Sequence, residues 1–560
     1  MSLAGATSKL PDWRRAIGFW SVVLFLTLFT ITALLFLPIG KVFLLSFVDS
    51  DTGQATLANY SKILGHKYYV TALKNTIIVG VLGMLGACLL GVPLAYCMSR
   101  YHLPGKALIS TLAVLALVSP PFIGAYAWIM MFGANGVITN WFKFFGISVP
   151  TIYGYSGIVL VFSLKFYPFV YLMTESAFSS TNKSLEEAAE NLGCTAFQRF
   201  RQVTLPLVFP AVSTGAILSF VLSIADFGTP SIIGRKVRTL STVAYSQYTS
   251  ELGGPPTLAV TISMLMIVIS IAGVLLQRYI ISKKRYASSL TNLSRPVTLK
   301  GWRFWLVTVF CYSVVLLSVL PSIVVVYTSF LETNGPVFTG GFGLNSYERV
   351  LHEISRAVVN SFVFAGSAVL FITLVSGMIS YLIVRREGRV SGFLDTVLMV
   401  PYLVPGIVMA IGFVTTFNRW PVDLVATSAI IIMVLFIRRL PYGVRSTTSS
   451  LRQVKPSIEE AAASLGASPF RVFTFVTVPL ILPGIIAGAM MSFITAINEL
   501  SATLILYTGR TITMPVHIYV SVLDGEYGIA AALSTILLVS TGVCVFFVFW
   551  LSEGKKSAFL

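Results

Sequence analysis

Residues 186–211 read EEAAENLGCTAFQRFRQVTLPLVFPA, and residues 459–484 read EEAAASLGASPFRVFTFVTVPLILPG. Laid on one another at a constant offset of 273, the two stretches match at Glu186 and Glu459, Glu187 and Glu460, Ala188 and Ala461, Ala189 and Ala462, Gly193 and Gly466, Phe197 and Phe470, Pro206 and Pro479, and Pro210 and Pro483. Upstream the agreement resumes at an offset of 285, with Asn75 on Asn360, Tyr96 on Tyr381 and Pro120 on Pro405. The first copy is therefore longer by 12, the difference between the offsets, and the loop ANGVITNWFKFFGISVP ending at Pro150 accounts for it. The chain is two copies of one unit.

The surroundings of these blocks are apolar. Of 560 residues, 56% are hydrophobic and 11% charged, against about 25% charged in soluble domains. A bilayer core needs roughly 20 apolar residues per helix. Twelve runs qualify: 17–40, 70–98, 107–132, 154–178, 205–228, 257–281, 304–330, 358–384, 393–417, 424–445, 475–507 and 528–552. The first follows Lys9, Arg14 and Arg15, yet it is longer than a cleavable signal core and no Ala-x-Ala site follows it, so it reads as a retained helix. An all-α polytopic fold with about 12 membrane helices is expected, in two six-helix halves. An even number of spans per copy gives both copies the same orientation, related by a pseudo-two-fold axis along the membrane normal. The halves are bounded as 1–281 and 303–560, with the polar, basic stretch 282–302 joining them.

A net charge of +18 suggests nucleic acid only until the basic residues are placed. With the N-terminus inside, Arg100, Lys106, Lys183, Arg199, Arg201, the linker cluster, Arg385, Arg386, Arg389, Lys555 and Lys556 all fall on the cytoplasmic side, where basic residues set topology and meet anionic lipid. Both termini are expected there. The five cysteines (Cys88, Cys97, Cys194, Cys311 and Cys544) and four histidines (His66, His102, His352 and His517) show no metal-ligand spacing, so no metal site is read.

Each block opens on a helix-start pattern, Ser184-Leu-Glu-Glu187 and Ser457-Ile-Glu-Glu460, in which a serine N-cap and a glutamate three residues on satisfy the first free amides. Acidic residues favour the positive end of the helix dipole, and Gly193 and Gly466 permit the positive φ that closes a helix. A second short amphipathic helix is expected after each, with Phe197, Phe200 and Val203 matched by Phe470, Phe473 and Val476 on one side. That face packs on the protein's own helix ends or fits a groove on a peripheral partner; its duplication favours a two-fold partner.

Glu-Ala-Ala, three residues, Gly, nine residues and an apolar-Pro pair (Leu205-Pro206 and Val478-Pro479) resemble the EAA signature of permease subunits of bacterial type I ABC importers. The resemblance covers nearly the whole chain as two fused permease domains, most similar to ferric iron permeases through DFGTPSIIG and NELSATLILY. It implies an inner-membrane permease working by alternating access, with coupling loops at 181–205 and 454–478. Glu186, Glu187, Ala188, Ala189, Gly193, Phe197, Glu459, Glu460, Ala461, Ala462, Gly466 and Phe470 would engage two copies of an ABC ATPase, which hold ATP and Mg, while a binding protein delivers cargo from outside. The chain itself has no Gly-x-x-x-x-Gly-Lys-[Ser/Thr] phosphate loop, and no cofactor is expected in it. Thiamine, polyamine, organophosphonate and sugar-phosphate importers share the architecture. A twelve-span secondary transporter and an intramembrane enzyme are the other classes; the first needs no paired capped cytoplasmic helices, and the second lacks a nucleophile with its base.

Ionisable residues inside spans are functional candidates. Asp226 and Glu499, late in the fifth runs, and Lys165 and Arg438, in the fourth runs, fall in matched pairs at the offset of 273. Either they pair locally or snorkel to the boundary, or they line the pathway with Phe227 and Leu500, the two acids facing each other near the outer mouth without matched cations. Arg235, Lys236, Arg238 and Arg510 lie just beyond and suit an anion or a docking protein equally.

Overall fold

The computed structural model describes residues 18–49, 52–148, 150–250, 256–282, 296–335, 337–386, 388–419 and 422–553. Lys9, Arg14, Arg15, most of the linker, Lys555 and Lys556 lie outside the described residues. In a bilayer each backbone amide and carbonyl must be satisfied within the protein, and helices do this locally. The first half runs α1 (Phe19–Ser46), α2 (Ala58–Gly65), α3 (Lys67–Arg100), α4 (Lys106–Val118), α5 (Pro121–Phe132), α6 (Val137–Phe144), α7 (Tyr155–Ser179), α8 (Lys183–Asn191), α9 (Ala196–Ala225), α10 (Gly228–Ile233), α11 (Leu240–Thr249) and α12 (Pro256–Ser282). The second runs α13 (Trp302–Ser329), the antiparallel hairpin β1 (Leu331–Asn334) and β2 (Val337–Phe342), α14 (Asn345–Glu353), α15 (Ser355–Arg385), α16 (Arg389–Leu403), α17 (Gly406–Thr416), the short pair β3 (Asn418–Arg419) and β4 (Val422–Asp423), α18 (Ser428–Gln453), α19 (Pro456–Ser464), α20 (Pro469–Ile497), α21 (Thr503–Leu506), α22 (Met514–Asp524) and α23 (Tyr527–Glu553).

All twelve apolar runs are helical, but not all are simple spans. Among the described residues ten helices are long and apolar enough to cross a membrane. The run 393–417 is instead the pair α16–α17, bent by 103°, and 424–445 is α18, which carries Arg438, Arg439, Arg445 and Arg452. The run 107–132 is also interrupted, between α4 and α5. Both interruptions sit at the repeated prolines. Ser119 (ψ 139°) and Val404 (ψ 123°) are extended before Pro120 and Pro405, the conformation that a proline ring favours in the residue before it.

The halves are interleaved. α1 packs on α15, α17 and α18 of the second half as well as on α12, and α13 packs on α3, α4 and α5 of the first half as well as on α23. Hydrogen bonds cross the same boundary: Tyr126 Oη donates to Ser534 Oγ at 2.9 Å, and the Ser231 and Tyr519 hydroxyls meet at 2.6 Å. Neither half buries its own helix faces alone, so the linker joins two parts of one packed unit.

Candidate coupling site and membrane charges

α8 and α19 begin and end much as the sequence suggests, with one correction. The N-cap of α8 is Asn182, whose side chain accepts from the Ser184 amide at 2.9 Å, and α19 starts on Pro456 after Lys455 with no side-chain cap. Ser184 and Ser457 fall inside the first turns, because Asn182 and Pro456 start each helix earlier. The C-terminal ends follow the glycines. Gly193 (φ 82°) and Gly466 (φ 87°) are left-handed; Gly193 N donates to Glu190 O and Cys194 N to Ala189 O, and Gly466 and Ala467 repeat the pattern on Ala463 and Ala462. This double closure satisfies carbonyls at the helix end and fixes how the chain leaves it.

The second short helix is a further correction. Ala196–Ala225 and Pro469–Ile497 are each continuous, so the amphipathic segment is the root of the fifth span. A π turn marks each junction, at Phe200–Thr204 and Phe473–Thr477, and its last threonine points at the motif. Thr204 Oγ1 donates to Glu186 Oε1 at 2.8 Å, and Thr477 Oγ1 to Glu459 Oε1 at 3.1 Å. Arg100, at the end of α3, completes one site by an ion pair with Glu186. Arg385, at the end of α15, completes the other, its Nε donating to Glu459 Oε2 at 3.0 Å and its Nη2 to Val454 O at 2.8 Å. Each motif's first glutamate therefore ties α8 or α19 to the second and fifth spans of its own half. Cavities of about 310 and 400 Å³ lie behind these bolts.

The opposite surface is exposed and largely apolar, with Phe470 also meeting the Phe19 ring. Leu185, Leu192 and Phe197 are exposed, as are Ile458, Leu465 and Phe470 at the matching positions, with Leu192 and Leu465 at 85% and 89%. Glu187, Ala188, Glu460 and Ala461 share this exposure, while Ala189 is buried and Ala462 half-buried.

Within the membrane the two halves differ. Asp226 and Glu499 lie in the turns just after α9 and α20, since those helices end at Ala225 and Ile497. Glu499 is buried against two cations: Arg438 Nη1 lies 2.5 Å from its Oε2, and Arg439 Nη2 donates to the same oxygen. The expectation of two acids without matched cations is thus overturned for Glu499, by a neighbouring arginine as well as the repeated position. Asp226 accepts from the Thr229 amide at 3.2 Å and hydroxyl at 3.1 Å. Among the described residues Lys165 forms no ion pair with an acid; its ammonium donates to the carbonyls of Ala116, Leu117 and Ser119 at the end of α4. Phe227 and Leu500 are buried. Gly228 passes so close to Phe122 and Leu500 that a Cβ there would come within 2.7 Å of the first and 3.1 Å of the second.

Both halves match the family described as the binding-protein-dependent transport system inner membrane component, over residues 87–286 and 373–553. The chain belongs to this family. It is 26% identical to the ferric transport system permease protein FbpB of Actinobacillus pleuropneumoniae, over 93% of this chain and 77% of that protein. It is 26% identical to the Fe(3+)-transport system permease protein FbpB 2 of Haemophilus influenzae, over 87% and 90%. A probable molybdenum ABC transporter permease protein of Haloferax volcanii is 31% identical, over 44% of this chain and 84% of its own length.

In this multi-pass inner-membrane permease, the structure gathers the residues of each motif but divides their tasks. Glu186 and Glu459 face inward as bolts, while Phe197 and Phe470 face outward with Leu185, Leu192, Ile458 and Leu465. Sequence reasoning missed Arg100, Arg385, Thr204 and Thr477 as bolt partners. The signal was available, because Arg100 and Arg385 differ by 285 and Thr204 and Thr477 by 273, but only a fold says that the two pairs converge. Arg439 carried no such signal: Phe166 stands at the matching place in the first half.

Proposed function

We propose that this permease is the membrane subunit of an importer in which a binding protein delivers a small solute from outside and two separate ATPase subunits, holding ATP and Mg, drive alternating access from the cytoplasm. One observation carries the reading: Leu185, Leu192 and Phe197 and their counterparts Ile458, Leu465 and Phe470 form matched exposed apolar surfaces, shared between α8 and the root of α9 and between α19 and the root of α20, which an Arg-Glu-Thr bolt ties together in each half. An arm pushed by another protein needs a face for that protein and a stiff root. In this reading both arms and both termini are cytoplasmic, and ATP hydrolysis belongs to the partners, in keeping with the missing phosphate loop. The turns holding Asp226, Phe227, Glu499 and Leu500 close the route between the halves.

Ferric iron is the proposed cargo, because relatives named for it match along most of the chain, whereas those named for sulfate or molybdenum match over 37% and 44% of it. Leu192→Asp combined with Leu465→Asp is expected to release the ATPase from the purified complex and abolish ⁵⁵Fe uptake, with the chain still inserted. Retention of the ATPase at its usual stoichiometry overturns the docking role, and wild-type cells that take up no ⁵⁵Fe through this system overturn the cargo.

A further inference from the structure

A broken helix inside a membrane leaves its last carbonyls without helical partners, at a cost of several kcal/mol each if they stay unsatisfied. At the end of α4 the protein supplies donors from elsewhere. Lys165, near the middle of α7, covers Ala116, Leu117 and Ser119, and Asn498, from the other half, donates to Val118 O at 3.1 Å. Asp226 is within electrostatic range of the Lys165 ammonium, yet no ion pair joins them among the described residues, and the carboxylate is turned to Thr229.

The second half shows the other arrangement of the same parts. Arg438, the counterpart of Lys165, is on Glu499, the counterpart of Asp226. Among the described residues no charged side chain donates to the carbonyls of 400–404, where α16 ends. Gly406, which opens α17, leaves room for this pair, since a Cβ there would lie 2.8 Å from Glu499 Oε1 and 2.9 Å from Arg438 Nη1. The internal repeat thus displays two resting places for one cation: on the helix end in the first half, on the acid in the second.

We propose that Lys165 is a movable latch of the translocation route, alternating between the carbonyl end of α4 and the Asp226 carboxylate, so that the α4–α5 joint is held in one state and released in the other. Resting on the importer reading above, it assigns Lys165 and Asp226 as positioning residues. An ammonium on a four-carbon stem is a compact charge with three rotatable donors, suited to changing partners, whereas a guanidinium fork is suited to staying with one carboxylate. Neither state strands the cation, which is the condition for two packings of similar free energy. Motion of Asp226 reaches the closure directly, because Gly228, two residues on, touches Phe122 at the start of α5 and Leu500 of the other half.

The test uses the complete complex in proteoliposomes, reading ATP hydrolysis stimulated by the binding protein, which needs no assumption about cargo, alongside ⁵⁵Fe uptake. Asp226→Asn, which keeps an acceptor for Thr229 and removes the charge, is expected to lower stimulated turnover tenfold or more with KM for the binding protein within twofold, and Asp226→Glu to recover it to within threefold. In a Lys165→Gln background Asp226→Asn is expected to add less than a twofold loss, because the latch is already gone; effects of separate groups instead multiply. Multiplying effects, or unchanged turnover in Asp226→Asn, overturn the latch. If Asp226→Asn does not assemble, Lys165→Arg decides: a guanidinium fixed on Asp226 lowers turnover tenfold, and wild-type turnover overturns the proposal. Stimulated hydrolysis without ⁵⁵Fe entry in the unaltered complex counts against iron alone, and loss of the ATPase from the complex counts against the importer reading.

Discussion

α8 and α19 share a bolt and differ in their cover. Behind α8, the linker residue Val297 runs beside Tyr101, donating to Arg100 O at 2.8 Å and accepting from His102 N at 3.1 Å. Behind α19, the start of α1 takes that role with aromatic rings. Trp20 stacks on Tyr381 at 4.0 Å and meets Phe473 edge-on at 5.3 Å, and Phe19 meets Phe470 at 5.3 Å. Both covers lead into the first span of the opposite half. The repeat is therefore kept where α8 and α19 turn outward and where the bolt closes, and is lost where each element meets its own chain. The exposed apolar surfaces stay duplicated, whereas a surface packed by unlike segments of one polypeptide is free to diverge.

The largest difference should come from breaking the bolts one at a time. The Glu459 side chain is 8% exposed and that of Glu186 16%, so losing the arginine strands a more deeply buried charge in the second half. Removing one partner of a buried pair costs about 3–5 kcal/mol. Arg385→Met is expected to lower the unfolding temperature of the detergent-solubilised chain clearly, and Arg100→Met to lower it less, as followed by loss of the monodisperse peak after heating. Equal shifts would mean that the cover of rings in the second half does not deepen the burial of its bolt.

The membrane class, the duplication and the two short helices α8 and α19 were legible because each is written in local pattern: long apolar runs, a constant offset, glycines at helix ends. The bolts were half legible, since repetition marks Arg100 and Arg385 but does not say what they touch. The in-membrane charges were least legible. Glu499 pairs with Arg439, a residue the first half replaces with Phe166, as well as with Arg438, and Lys165 is satisfied by backbone carbonyls, which leave no trace in side-chain identity. The interruption at Pro120 and Pro405 decides where those carbonyls are freed. A count of apolar residues runs straight across both prolines, so hydropathy alone merges the two helices on either side of each into one run.

A smaller effect, and one expected to be equal in both halves, concerns Gly193 and Gly466. Both are left-handed, and a Cβ added at either would meet no atom within 4 Å, so a side chain meets strain in the backbone and no clash. Left-handed conformation costs an L-residue roughly 1–2 kcal/mol, and more when it is β-branched. Under the proposed function, Gly193→Val and Gly466→Val are expected to leave the chain inserted and the proposed ATPase bound while lowering solute moved per ATP hydrolysed, each to a similar degree. A loss confined to one half would count against an equal role for α8 and α19 despite their matched geometry.

The smallest effect separates the covers themselves. Trp20 and Trp305 occupy matching places at the offset of 285, yet Trp20 is buried in the stack beside Arg385 and Glu459, whereas Trp305 is 66% exposed and the cover of the first element is the backbone of Val297. An aromatic pair contributes about 0.5–1.5 kcal/mol beyond its buried area. Trp20→Leu is therefore expected to loosen the second element by about that amount, visible as faster amide hydrogen exchange in 456–464 with 183–191 unchanged. Trp305→Leu should alter exchange in neither segment. If Trp305→Leu loosens 183–191 instead, the first span of the second half reaches α8 after all, and the two covers are more alike than their contacts indicate.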